Sequence, residues 1–546
     1  MTRDGVTRIQ REKLMRRLLL CVVVLFDGIL LSVAANAQVA QEIRVNNSGF
    51  SFKSVTGEKI DLGGFSGMIP VSRDSLNRFF WIITDRGPNV DIFEFDSIDP
   101  ATGQPVFLGP DGLPTTTPVS VGKGFPVPEY SPSILLIKLP FHGEGRVLSR
   151  TILRKPNGEP VTGLPNLLVP GTDLTEDGTL TDAAGNKLNV DPDGLDPEGI
   201  TAGRHDGVFW ISEEYAPSVC AVVSDKVVLR LVPKGTPLAG KKIPTVAILP
   251  AILKKRVSNR GLEGLAMAPN GLLYTGLQRP VANPDKKASE ASANIRVFQI
   301  DLDAALRGKA RSIRQFIYVT ADVNKGNYIS DLFALSNEAL LASERRAAKI
   351  FKLDGIRSAS DITSFEVQDE GDASFGQLKA PIEYDYTKVT TMPDGTTTSE
   401  IVHVKRTTIE SLLPKGPDGR DELAMAGIVP LRKTLIIDLA GIVKADPNNG
   451  KFEGLCVNAG SLFLTMDNDF NLVDAIRPKP AAGETPAVPT LRNFNPTNYN
   501  RVFQFGSFPN PIAKLLRLDK EGKDDEGDED DDEDEDEERG ERDHRD

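Results

Sequence analysis

Glu198, Glu263 and Glu453 each stand directly before a glycine, at the start of a short apolar run. Each is followed 14 or 15 residues later by a second polar group at the end of another apolar run: Glu213, Gln278 and Asp467. Two looser copies read Ser66-Gly67 with Asp85, and Asp331 with Glu344. Most closing clusters carry further polar or charged residues, namely Glu214, Asp469, Arg86, Arg279 and Arg345, with Asn89 just beyond the first. If these corners meet, the carboxylates repel one another, and some must take a proton unless a cation joins them. Many hard oxygen donors suit Ca²⁺. Zinc fits poorly, because the four histidines show no ligand-pair spacing and few cysteines remain. In that case Glu198, Glu263 and Glu453 would serve as metal ligands or bases. Arg86, Asn89, Gln278, Arg279 and Arg345 would hold the substrate. The metal set would be Asp85, Glu198, Glu213, Glu214, Glu263, Asp331, Glu344, Glu453, Asp467 and Asp469. The plainer alternative is that each acid caps its own turn and each arginine neutralises a neighbour.

Other chemistries have weaker support. Gly64-Phe65-Ser66-Gly67-Met68 lacks the last glycine of a nucleophile elbow, which leaves Ser66 a weak nucleophile candidate. No phosphate-cradling glycine loop or dinucleotide fingerprint occurs, so neither nucleotide nor haem is expected. Asp191-Pro-Asp193-Gly194 holds only a fragment of a calcium-loop pattern.

Five hairpins would position these residues. Each copy reads as strand, turn, strand, and an antiparallel hairpin brings the start of one strand beside the end of the next. Both polar ends then share one sheet edge. The copies recur every 65 to 68 residues where no insertion intervenes, as from Glu198 to Glu263 and from Glu263 to Asp331. That length holds four strands, and repeated four-stranded units imply an all-β propeller of five to seven blades. The glycines suit crowded strands near an axis. Long insertions are expected near 97–130, 155–195 and 369–420, with a proline-rich loop at 477–500. Helix is expected only at Ala288–Ala293, Leu302–Arg307 and Thr408–Leu413.

Residues 1–37 read as a secretory signal: a basic start, an apolar stretch from Leu18 to Val33, and Ala35-Asn36-Ala37 as cleavage site. The expected location is outside the cytoplasm, secreted or periplasmic, with no membrane attachment after signal removal. Beyond residue 37 only Cys220 and Cys456 remain; they could pair or stay as buried thiols. The domain is expected over 38–518, followed by a disordered acidic tail at 519–546. Residues 520–546 hold 18 acidic and 5 basic side chains, which account for the whole net charge of −13. The rest is neutral, so nucleic acid is not an expected partner.

The combination Phe65-Ser66-Gly67, Thr84-Asp85-Arg86-Gly87-Pro88-Asn89, Asp196-Pro197-Glu198-Gly199, Ser212-Glu213-Glu214-Tyr215, Asn259-Arg260-Gly261-Leu262-Glu263-Gly264 and Ala342-Ser343-Glu344-Arg345 resembles the phytase-like family, also called esterase-like activity of phytase. The resemblance spans about residues 45–475. It implies a secreted β-propeller that hydrolyses an ester or phosphoester of a small molecule, with calcium. The competing expectations are a lactonase-like propeller enzyme and a non-catalytic, calcium-stabilised binding protein.

Overall fold

The computed structural model describes residues 40–506, apart from 73, 167–178, 206, 239, 322–327, 346, 444–449 and 494–497. The expected signal segment and the acidic tail lie outside the described residues.

Most of the regular secondary structure among the described residues is strand, with only short helices beside it. Four-stranded antiparallel meanders recur five times. The first sheet holds Phe65–Pro70, Phe79–Thr84, Ser133–Lys138 and Gly145–Ile152. The second runs from Pro197–Ala202 through Val208–Glu213 and Ser218–Val223 to Lys226–Pro233, with Thr245–Leu249 added in parallel. The third comprises Leu262–Met267, Leu273–Leu277, Asn294–Ile300 and Ile313–Val319. The fourth comprises Ile329–Ala334, Leu340–Glu344, Lys349–Asp354 and Arg432–Asp438. In the fifth, Phe452–Asn458, Ser461–Met466 and Arg501–Phe505 are completed by Ala40–Asn46, from the other end of the chain, whose Val45 and Asn46 also pair in parallel with Gly145 and Arg146 and so join this sheet to the first.

The first strands of the sheets close a ring, and contacts across each seam show it. A Cβ on Gly67 would strike Gly199 and Ile200. One on Gly199 would strike Glu263 and Leu265, and one on Gly264 would strike Asp331 and Leu332. The Asp331 carboxylate accepts the Leu455 N–H at 2.7 Å, and a Cβ on Gly454 would meet Ser66 and Met68. The architecture is therefore of propeller type, with neighbouring sheets burying each other's faces. The apolar clusters support this: one joins Val219 and Leu231 of the second sheet to Ile295 and Phe316 of the third and Leu340 of the fourth.

Every inner strand carries the same irregularity. Phe65 pairs with Thr84, but Met68 pairs with Ile82, so three steps on one strand oppose two on the other. The same slip follows Pro197, Leu262, Ile329 and Phe452. It is a β-bulge repeated around the ring, and bulges re-aim side chains at sheet edges.

The insertions are more ordered than the sequence suggests. Residues 97–130 contribute Gly122–Phe125, and 155–195 contribute Thr179–Asp182. These join Val90–Phe95, Leu472–Pro478 and Thr490–Asn493 in a separate five-stranded sheet. The 369–420 insertion is mostly one long hairpin, Gln377–Thr391 with Thr397–Thr408. Its alternation was obscured because most of its side chains on both faces meet water. Two helices form near their expected places, Lys286–Ala291 and Leu302–Leu306, capped by Asp285 and Asp301. At the third there is a short 3₁₀ turn, Ile409–Ser411. Further short helices cover Glu422–Met425 and Ala440–Val443. Cys220 and Cys456 are buried free thiols.

Candidate functional site

The bulge register decides which side chains face the axis. The residue after each paired start (Phe65, Pro197, Leu262, Ile329, Phe452) is Ser66, Glu198, Glu263, Ser330 or Glu453. The residue after each closing partner is Asp85, Glu214, Gln278, Arg345 or Asp467. The backbone N–H of each of these five donates to the carbonyl just before the inner strand: Gly64, Asp196, Gly261, Tyr328 and Lys451, at 2.9–3.1 Å. Three stacked layers of five positions result.

These layers line a cavity of about 800 Å³. Ser66, Glu198 and Glu453 come from the deepest layer; Asp85, Glu214, Gln278, Arg345 and Asp467 all line it from the next; Asp196, Tyr328 and Lys451 come from the outermost. Loops add Arg86, Asn89, Asn259, Arg260 and Asp469, and the accessory sheet adds Asp91 and Lys123. Glu263 lies just under the lining, with Gln278 Nε2 donating both to its Oε1 and to Glu214 Oε1.

Four of the expected site residues lie elsewhere. Side chains alternate along a strand, so Glu213 and Glu344 point away from Glu214 and Arg345. Glu213 forms a wholly buried pair with Arg230 at 3.0 Å. Glu344 accepts from Lys433 at 2.8 Å and from the Tyr318 hydroxyl. Asp331 is not the counterpart of Glu198: Ser330 is. Asp331 stands where the other inner strands have glycine, and it accepts the N–H groups of Leu332 and Leu455. Arg279 does not line the cavity; its guanidinium lies 5.5 Å from the centre of the Tyr328 ring. The sequence reasoning left Asp196, Arg260, Tyr328 and Lys451 out of the site. Asp196 and Arg260 stand inside the motifs quoted above, and their place one or two residues before an inner strand was the available signal.

Carboxylate oxygens of Asp196, Glu198 and Glu214 lie within 4.8 Å of one another, a spacing that could hold a metal ion. Around them, Glu263 Oε2, Gln278 Oε1 and Glu453 Oε2 are buried without a hydrogen-bond partner. Buried oxygens normally find a donor or a cation, so this donor set fits a hard cation. Arg86 fixes one wall: its N–H donates to Asp196 Oδ1 at 3.0 Å, and its guanidinium reaches Tyr215 and Asn259.

Comparison with known proteins supplies the affiliation. The family model described as "Phytase-like: Esterase-like activity of phytase" matches residues 60–470. The chain belongs to the phytase-like family. The family's description names an esterase-like activity, which is hydrolase-type chemistry. An uncharacterized secreted protein of Arthroderma benhamiae is 27% identical over 186 residues, covering 29% of this chain and 35% of that protein. The chain thus matches about a third of that relative's length. Among solved structures, a Pseudomonas aeruginosa periplasmic gluconolactonase covers 83% of this chain and 97% of its own, at 10% identity and TM-score 0.23. A luciferin-regenerating enzyme covers 84% and 96%, at 8% identity and TM-score 0.27. Among the described residues, no helix is long and apolar enough to cross a membrane.

In this phytase-like protein the acids are strongly perturbed. Burial, then repulsion from Glu263, Asp196, Glu214 and Glu453, pushes Glu198 well above the usual carboxylate range. Burial and its neighbours Glu214 and Glu453 do the same to Glu263. Glu214 rises to about 8 by burial, despite Arg260. Asp467 rises to about 7 through burial and then Asp469, and Asp85 is raised by burial and by Asp467. Burial also raises Glu453, although Arg345 at 2.8 Å opposes the shift. Asp469 goes the other way: burial would raise it, but Lys451, a hydrogen bond with Asp467 and Arg345 together hold it low.

Proposed function

We propose that this protein is an exported, calcium-assisted hydrolase of a carboxylic or phosphate ester, acting on a small molecule at the mouth of a five-bladed propeller. One observation carries the reading: three clustered carboxylates, Asp196, Glu198 and Glu214, ringed by buried unpaired oxygens on Glu263, Gln278 and Glu453. Desolvated carboxylates this close cannot all ionise without a partner. Asp196, Glu198 and Glu214 would hold the cation, and oxygen-only donors favour calcium over zinc. Bound there, it would supply Lewis-acid polarisation of the ester oxygen and of a water. Gln278 ties Glu214 to Glu263 and so sets the orientation of the ligand carboxylate. Glu453, held on one oxygen by Arg345 and free on the other, is placed to take a proton from the attacking water; burial makes its carboxylate a stronger base, which suits that task. Arg86, Asn89 and Arg345 would donate to substrate oxygens. Export rests on the N-terminal pattern and on the secreted relative.

Ester turnover measured on purified protein, with and without EDTA, tests this. Activity lost to EDTA and restored by calcium is expected. Full turnover in EDTA, or in Glu198→Gln, would sink it.

A further inference from the structure

The cavity's charge balance says what kind of ester it takes. Eight carboxylates line it against five cationic side chains. Each of those cations faces an acid: Arg86 Asp196, Lys123 Asp91, Arg260 Glu214, Arg345 Glu453, and Lys451 both Asp467 and Asp469. A many-phosphate ligand gripped by side chains alone needs the opposite, cationic groups in excess and presented as open forks. One divalent cation at Asp196, Glu198 and Glu214 cancels two of the three surplus negative charges of the fully ionised wall and goes no further.

The lining is also rich in hydrogen-bonding groups and poor in apolar surface. Tyr328 supplies an aromatic face, and Val90, Leu472 and Val473 are its apolar members. Its volume is at the upper end of the range for small-molecule sites. From this polarity and charge we infer that the substrate is a neutral or singly charged, hydroxyl-rich carboxylic ester rather than a polyphosphorylated one, despite the family's name. The inference rests on the hydrolase reading above. In the step itself, water's oxygen bonds to the acyl carbon, the acyl–alkoxy C–O bond breaks, and the proton taken from water ends on the departing alkoxide, giving acid and alcohol.

The test compares an acetylated sugar with inositol hexakisphosphate, both with calcium in excess over any chelation, in the wild type and in Glu214→Gln. The expected result is a kcat/KM at least about 100-fold higher on the acetylated sugar, lost in the variant. A higher kcat/KM on the hexakisphosphate, lost in Glu214→Gln, overturns this inference and leaves the hydrolase reading standing. Turnover of neither, or turnover that survives in Glu214→Gln, overturns both. Circular dichroism of the variant separates lost chemistry from lost fold.

Discussion

Adjacent residues in this chain have opposite fates, and Glu213 and Glu214 show why. Strand alternation sends Glu213 into the sheet packing against Arg230, and Glu214 into the cavity. Arg230→Ala would leave the buried Glu213 charge without its counter-ion, at a cost of about 3–5 kcal/mol, read as a lower denaturant midpoint. Glu214→Gln is expected to abolish turnover by two orders of magnitude or more, with little loss of midpoint. The pH response follows from the raised acids. Glu214 at about 8 and Asp467 at about 7 sit above their unfolded values, so folding takes up protons. The unfolded chain binds fewer protons between about pH 4 and 8, and stability therefore falls as pH rises through that window. Thermal melts in EDTA should show Tm declining from pH 5 to pH 8. Calcium should restore more at pH 8, where the ligands ionise at least cost.

At the scale of the element, the repeated bulge is the working part. It places Ser66, Glu198, Glu263, Ser330 and Glu453 in one layer, and the following glycines let neighbouring strands approach. Gly264→Ala would drive a Cβ into the backbone of Asp331 and Leu332; overpacking of this kind costs about 1–3 kcal/mol or more, visible in urea unfolding. The period of the hairpins was legible in the sequence, because apolar runs and turn residues announce strands. The phase was not. A bulge shifts alternation by one residue without any compositional mark, so the sequence aligns Asp331 with Glu198 although Ser330 is its counterpart, and it offers Glu213 and Glu344 beside Glu214 and Arg345 although only the latter two line the cavity. The accessory sheet was hidden for another reason. Its five strands come from separate stretches of the chain, and three of them are only 4 residues long, too short to show a period.

For the whole molecule, the ring explains why distant corners share one cavity, and why exchange within it is costly. No sheet can be removed without opening two seams. Ala40–Asn46 supplies the fourth strand of the fifth sheet, so truncation through Asn46 should leave Arg501–Phe505 with a bare edge. Aggregation or a Tm lowered by about 10 °C or more is expected, measured by light scattering and scanning calorimetry.

That same clasp has a temporal side. Arg44 pairs with Arg501, so the earliest strand of the domain must wait for almost the last one to be synthesised. At roughly 5–20 residues per second the wait is about 20–90 s. During that interval the half-built wheel keeps strand edges unpaired, and unpaired edges invite association with whatever lies nearby until Arg501–Phe505 arrives.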